Sequence, residues 1–485
     1  MPWAEALKNK AIKGVGWSFA DSILGQGMIF LVGLVLARLL TPEDYGLLAY
    51  LTILISVSNS LVDSGFSNAL IRKKNAEDID YNTTFITNLC VSIVVVVLLY
   101  FTAPGISLFF ERMELISLIR VMSTVLIINS FSLIQKTRLT KNVDFKTQTK
   151  ASLISSMVSG LIGIGMALYG FGVWCLVGQQ LSRQFLDTLF LWIFTKWYPK
   201  IQFSMKSFKE LFGFGWKLLV SGLINTIWNE TYQLVIGKCY TPATLGQYTR
   251  AHQFSSISSS NLTSIVQRVS YPILSELQDD RERLKAGYKR VIKVTMLVAF
   301  VLMLGLAAIA EPMIVSLIGE QWLPAVPMLQ IVCFSMMLYP LHAINLNMLQ
   351  VQGRSDLFLK LEIIKKIVAV GPLLLGIFVG IYWMLIGSVM TGFFAYYLNA
   401  RYSGPFLKYS ITEQIKDILP SFGVALTMAL VVYVISYINI SAMWLLLIQI
   451  TVGALITFVL CELFKLEEYV EIKSIALSML SKLRK

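Results

Sequence analysis

Four arginines stand inside apolar stretches of the chain: Arg120, Arg183, Arg250 and Arg268. An ionisable side chain at membrane depth is costly, so it faces a cavity or a partner. The segment that begins at Arg250 is the most informative. Arg250, Gln253, Ser256, Ser260, Ser264 and Gln267 recur at three- and four-residue steps, which puts them on one helical face. Phe254, Ile257, Leu262, Ile265 and Val269 cover most of the other side. Arg268 follows Arg250 by 18 residues. That spacing returns it to the same face, roughly 27 Å along the axis. Two guanidinium groups near opposite mouths of one wet path suit a phosphate-bearing substrate, because guanidinium binds phosphate oxygens in pairs. Snorkelling of end-of-helix arginines is the plainer account, and it leaves the serines unexplained.

Arg183 falls near the middle of its apolar stretch, and Asp187 follows it on the same helical face. The spacing accommodates a self-neutralising i,i+4 pair as readily as a substrate role. Arg120, near the end of its stretch, fits snorkelling as well as function. Four acids also fall within apolar segments: Asp21, Asp63, Asp187 and Glu230. Desolvation raises a buried carboxyl's proton affinity, so each is a candidate for H⁺ or Na⁺ coupling, and each could equally pair with an arginine. The five cysteines are scattered, with no CxxC or Cys/His spacing. Neither a disulfide framework nor a metal site is indicated, and no cofactor motif or nucleotide-binding loop is present.

The elements that must carry these residues are membrane spans. Of 485 residues, 56% are hydrophobic and 14% charged, against about 25% charged in an ordinary soluble domain. The apolar runs approach the roughly 20 residues that cross a bilayer as helix. The reading is an all-α polytopic membrane protein of about 14 transmembrane helices. The expected spans are 15–40, 45–70, 84–110, 116–134, 151–169, 172–194, 214–237, 245–270, 291–312, 323–350, 362–380, 383–400, 418–437 and 443–463. The N-terminal stretch lacks a signal-peptide pattern, so the first span is expected to serve as an uncleaved insertion signal. With both termini placed inside, 34 of the 41 Lys and Arg fall in inner segments and only Arg38, Arg112 and Lys238 in outer ones. That asymmetry is the positive-inside pattern, and it reads the net charge of +13 as a membrane-face signal with no nucleic-acid role.

The chain also repeats itself. Gly14-Val15-Gly16-Trp17 resembles Gly213-Phe214-Gly215-Trp216. Arg38-Leu39-Leu40-Thr41-Pro42 with Gly46 resembles Lys238-Cys239-Tyr240-Thr241-Pro242 with Gly246. Spans one and seven then run the same way, as in transporters built from parallel repeats. The expected division is 1–200 for a lobe of helices 1–6 and 201–405 for a lobe of helices 7–12. Helices 13 and 14 would occupy 406–465, and 466–485 an amphipathic tail on the inner membrane face.

LARLLTPEDYGLLAY at 36–50, VDSGFSNALIRKK at 62–74, VSYPILSELQDDRERLKAGYKR at 269–290 and LIGEQWLPAVPMLQI at 317–331 resemble segments of a known family. It is the oligosaccharide flippase (Wzx-type) branch of the multidrug/oligosaccharidyl-lipid/polysaccharide exporter superfamily. The resemblance implies two six-helix lobes, a cationic central cavity and an undecaprenyl-pyrophosphate-linked oligosaccharide as cargo. It further implies alternating access, a place in the bacterial inner membrane, membrane lipids around the tail groove and polysaccharide polymerase machinery as a partner. Arg183, Arg250, Arg268 and Arg120, with Gln253, Ser260 and Ser264, are the expected substrate-binding residues by type. An ion-coupled multidrug exporter of the same architecture is the main alternative. A cation-binding cavity would want carboxylates, however, and the serine-rich helix has two arginines and no acid. A membrane glycosyltransferase or polymerase would need catalytic groups in a sizeable outer loop, and the expected outer loops are short.

Overall fold

A chain that crosses lipid repeatedly must satisfy its backbone hydrogen bonds within each segment, which helices do. The computed structural model describes residues 25–483, and the ordered elements among them are helices. The expectations on residues 1–24, Asp21 among them, and on the side chain of Arg268 lie outside the described residues.

The first helices are α1 (Gln26–Leu39), α2 (Pro42–Asp63), α3 (Phe66–Arg72), α4 (Asp78–Phe110) and α5 (Leu115–Met122). They are followed by α6 (Thr124–Lys141), α7 (Phe145–Leu168), α8 (Trp174–Thr195), α9 (Met205–Cys239) and α10 (Pro242–Glu276). Next come α11 (Arg281–Ala308), α12 (Ala310–Ile318), α13 (Ala325–Met336), α14 (Tyr339–Val351) and α15 (Ser355–Val368). The last are α16 (Val370–Phe378), α17 (Ile381–Leu407), α18 (Ile411–Ile435), α19 (Ala442–Leu463) and α20 (Glu467–Leu483).

Ten of these helices or helix pairs are long and apolar enough to cross a membrane. The other four of the 14 expected spans also coincide with helices, on α1, α8, α10 and the α15–α16 pair. Two of these, α8 and α10, carry Arg183 and Arg250. The protein is thus an all-helical, multi-pass membrane fold, and α8 and α10 are among its less apolar helices.

Packing divides the chain into two compact units, Met1–Gly246 and Gln247–Lys485. In the first, α8 packs on α6 and α7, and α9 packs on α2, α3 and α4. Two close approaches lock α9 and the start of α10 to α2. A Cβ on Gly46 would stand 1.8 Å from the Pro242 carbonyl oxygen, and a Cβ on Gly246 would stand 1.9 Å from that of Pro42. The two Thr-Pro…Gly segments therefore lie backbone against backbone, each glycine on the other's proline. Their helices start alike. Thr41 and Asp44 form a capping box, with Asp44 N–H donating to Thr41 Oγ1 at 3.3 Å. Thr244 N–H donates to Thr241 Oγ1 at 3.2 Å. Each cap satisfies a helix-end donor, and Pro at the first helical position has no N–H to satisfy. Tyr50 adds a buried bond, its hydroxyl donating to the Gly237 carbonyl at 2.7 Å.

The turn between α2 and α3 meets α9 in the same manner. Ser64 and Gly65 both have positive φ, and a Cβ on Gly65 would stand 2.4 Å from the Gly215 carbonyl oxygen. Gly215 belongs to the Gly-Phe-Gly-Trp segment noted in the sequence. Beyond this turn Lys73 pairs with both Asp80 and Glu210 at 3.0 Å. Burial draws its ammonium pKa down, but the hydrogen bonds to Glu210 and Asp80 outweigh that and hold it above its ordinary value.

In the second unit α11 packs along α18, and α20 lies on α11. The acidic first turns of α20 meet basic residues of α11: Lys293 with Glu467 at 2.8 Å and Arg290 with Glu471 at 2.6 Å. Ser421 Oγ donates to the buried Glu468 at 2.5 Å. The expected amphipathic tail is a helix docked by these charges.

Alanine at Gly46 or Gly246 forces a Cβ into a carbonyl that belongs to rigid backbone. Each is expected to lower stability by about 1–3 kcal/mol or more, whereas Gly105→Ala, where a Cβ meets nothing within 4 Å, is expected to be neutral or stabilising. Thermal unfolding of the detergent-purified variants checks the contrast. Equal midpoints for all three would overturn it.

Candidate functional site

The first unit holds a cavity of about 330 Å³ between α2, α6, α7 and α8. Its wall is polar although α2, α6 and α7 are apolar helices. Asn59, Asn129, Gln148, Gln180 and Gln184 supply five carboxamides, and Lys136, Arg183 and Asp187 supply charge. The α8 residues Gln180, Arg183, Gln184 and Asp187 recur at three- and four-residue steps, so one helical face presents them all. On α6, Asn129 and Lys136 are seven residues apart, two turns of helix, and share a face in the same way.

The wall is internally bonded. Asn129 Nδ2 donates to Asn59 Oδ1 at 2.9 Å, and Gln184 Nε2 donates to Asn129 Oδ1 at 3.1 Å. Gln148 Nε2 donates to the Lys136 carbonyl and to Thr140 Oγ1, both at 3.0 Å. Asp187 Oδ2 lies 2.8 Å from Lys136 Nζ, and its side chain is 14% exposed. A carboxylate so enclosed needs a partner, and Lys136 provides one across the α6–α8 interface.

Of the sequence candidates, Arg183 and Asp187 are brought into this cavity. Asp187 takes Lys136 as an ion-pair partner, an arrangement the i,i+4 spacing did not reveal. Arg120 lies outside the lining. Its guanidinium sits 4.3 Å over the Tyr100 ring, with Nε donating to the Tyr100 carbonyl at 3.4 Å. Asp63 accepts from Ser67 Oγ at 2.5 Å, and Glu230 accepts from Gln233 Nε2 at 2.8 Å. Neither acid lines the cavity.

In the second unit Arg250 is 6% exposed. Its guanidinium lies 5.9 Å from the ring of the fully buried Trp322, and Nη1 donates to Gln253 Oε1 at 2.6 Å. Further along α10 the polar face is open, with Ser260, Ser264 and Gln267 exposed, while Ala251, Ser255, Ser259 and Thr263 face inward. Ser259 Oγ donates to the Met336 carbonyl at 2.8 Å. The serines thus form two stripes, one exposed and one packed, and the packed one lets α10 approach its neighbours closely.

Sequence reasoning missed the carboxamides and Lys136. The signal was there for α8, whose four polar residues keep helical spacing. Lys136 was assigned to an inner loop because the expected span ended at 134. The helix continues to Lys141 and carries it into the cavity wall.

The fold is shared with solved transporters. Over 93% of this chain and 98% of the other, it superposes on the lipid II flippase MurJ, inward closed, with a TM-score of 0.72 at 16% identity. An inward-facing multidrug resistance MATE family transporter of the MOP superfamily matches 80% of this chain and 98% of its own, with a TM-score of 0.61 at 16% identity. The apolar helices and the shared fold make this a multi-pass membrane protein with the fold of these transporters. Residues 35–327, more than half of the chain, match the family described as polysaccharide biosynthesis protein, and the chain belongs to that family.

Among curated relatives, the teichuronic acid biosynthesis protein TuaB of Bacillus subtilis is 28% identical over 61% of this chain and 62% of its own length. The succinoglycan biosynthesis transport protein ExoT of Rhizobium meliloti is 26% identical over 67% and 65%. The lipopolysaccharide biosynthesis protein WzxC of Escherichia coli K12 is 23% identical over 76% of each chain. The chain spans a little under two thirds of the length of the first two.

Removing Lys136 leaves Asp187 enclosed without its ion-pair partner. Lys136→Ala is expected to cost about 1–3 kcal/mol of stability, and the double variant with Asp187→Asn to recover part of it. A double-mutant cycle by thermal unfolding measures the coupling. Strictly additive losses would mean that the pair contributes nothing.

Proposed function

We propose that this protein is a flippase for lipid-linked oligosaccharide. It carries undecaprenyl-pyrophosphate-linked repeat units from the inner to the outer leaflet of a bacterial cytoplasmic membrane, for O-antigen, capsule or exopolysaccharide assembly. The observation that carries this reading is a polar cavity, lined by Arg183 and Lys136, between helices of the first unit. A charged headgroup cannot cross hydrocarbon unaided, and a wet cavity with fixed cations lowers that barrier. Membership of the polysaccharide biosynthesis family supports the cargo class.

Transport proceeds by alternating access between the two repeat lobes, 1–200 and 201–405, with 406–465 beside the lipid tail. The pyrophosphate is held by arginines: Arg183 in the cavity, and Arg250 and Arg268 along α10, whose exposed Ser260 and Ser264 hydrate the path. Gln253 positions Arg250, and Arg120 is a further substrate-binding candidate. Asp63, Asp187 and Glu230 are the candidates for ion coupling, and Asp21 with them. Differential affinity of the cargo for the two states moves the equilibrium, and an ion gradient or consumption of cargo by outer-face polymerase machinery makes export net. Both termini are cytoplasmic. Asp187 faces Lys136, which neutralises the one carboxylate among the described lining residues that a cationic drug could use.

The test is deletion of the gene followed by a leaflet assay. Lipid-linked repeat units are expected to accumulate on the inner leaflet, and the wild-type gene to clear them. Arg183→Ala is expected to reduce clearance at least tenfold at unchanged membrane abundance. No accumulation on deletion would remove the flippase reading, and full activity of Arg183→Ala would remove that residue from the site.

A further inference from the structure

We infer that the cavity of the first unit is a saccharide subsite, in which carboxamides read the hydroxyls of one sugar ring of the cargo. The inference rests on the flippase reading and goes past it, because it assigns the sugar and the pyrophosphate to different groups.

The argument begins with the chemistry of the wall. Phosphate accepts hydrogen bonds and donates few, so a phosphate site is built from donors. Here five of the polar lining residues are carboxamides, each with an acceptor oxygen as well as a donor nitrogen. Facing a phosphate, the oxygens not already bonded within the wall would meet only other acceptors. A hydroxyl both donates and accepts, which matches a carboxamide at either end.

Two of the wall residues are unspent. Gln180 and Ser152 are half-buried lining residues that make no hydrogen bond to protein among the described residues. By contrast, Asn59, Asn129 and Gln184 are fixed in a chain of bonds. Gln148 is anchored through its nitrogen to Lys136 and Thr140, which fixes the direction of its oxygen. Rigid groups of set orientation beside two unspent ones make a preorganised polar site.

The apolar part of the lining agrees. Ile55, Val125 and Leu191 are aliphatic, and among the described residues the lining contains no aromatic ring. The C–H face of a pyranose packs on aliphatic side chains such as these. The volume, about 330 Å³, lies at the small end of the roughly 300–1,000 Å³ of ligand sites. That is room for one sugar residue.

The test uses the full-length protein in detergent and saturation-transfer NMR, with methyl α-glucopyranoside, N-acetylglucosamine and glucuronate as probes. Tetraphenylphosphonium serves as a drug-like comparator. Saturation is expected to reach the ring protons of at least one sugar. Gln180→Leu and, separately, Ser152→Leu are expected to cut it at least threefold, and Gln180→Asn to keep most of it. Size-exclusion profiles and thermal midpoints identify a misfolded variant. If one leucine variant misfolds, the other decides. No transfer to any sugar, undiminished transfer in the folded leucine variants, or transfer to tetraphenylphosphonium that the leucine variants abolish would overturn the inference. The leaflet assay separates the two readings. Failure of the wild-type gene to clear repeat units sinks the flippase reading, whereas clearance by the wild type together with unaltered sugar signals in the leucine variants sinks only the saccharide subsite.

Discussion

The close crossing of two Thr-Pro…Gly segments organises the first unit. Pro42–Gly46 and Pro242–Gly246 touch through main chain, because neither glycine has a Cβ to hold the other away. The contact is reciprocal, each glycine lying on the other segment's proline. It fixes where α2 and α10 begin and, with Tyr50 on Gly237, how α9 lies on α2. Without a hydrophobic drive between helices in lipid, close backbone approach of this kind is what specifies packing. The Gly65–Gly215 contact repeats the device further along α9.

With α2 held, the cavity follows from which helices can afford polarity. Among the described spans, α8 and α10 fall short of the apolarity of a lipid-facing helix, and they carry the cations of interest. α8 turns its polar face toward α6 and α7, where Lys136, Gln148 and Asn129 meet it. Polar side chains in a membrane protein face one another or water, so the polar stripe of α8 and the cavity beside it are one fact stated twice. The Lys136–Asp187 pair keeps a negative charge enclosed without leaving the site acidic.

The second unit handles its charge differently. Arg250 is withdrawn against Trp322 and tied to Gln253, while the exposed hydroxyls of α10 lie further along the helix. At the other end of the unit, α20 is bound to α11 by carboxylate pairs with Lys293 and Arg290. Charge there secures a helix that composition alone would leave on the membrane surface.

Much of this was present in the residues. The lengths of the apolar runs, the basic loops and the repeated Thr-Pro…Gly motif follow from bilayer thickness, loop charge and helix-end chemistry, all of which are local. The polar spacing of α10 and of Arg183 with Asp187 is likewise a matter of 3.6 residues per turn. Tertiary structure alone decided the partners. Lys136 reaches Asp187 because α6 runs on past the expected span, and Arg250 meets Trp322 from 72 residues away in the chain. Periodicity reports which face of a helix a residue occupies. Which helix lies opposite that face is set by packing between distant segments, and so the cavity's five carboxamides came together only in the fold.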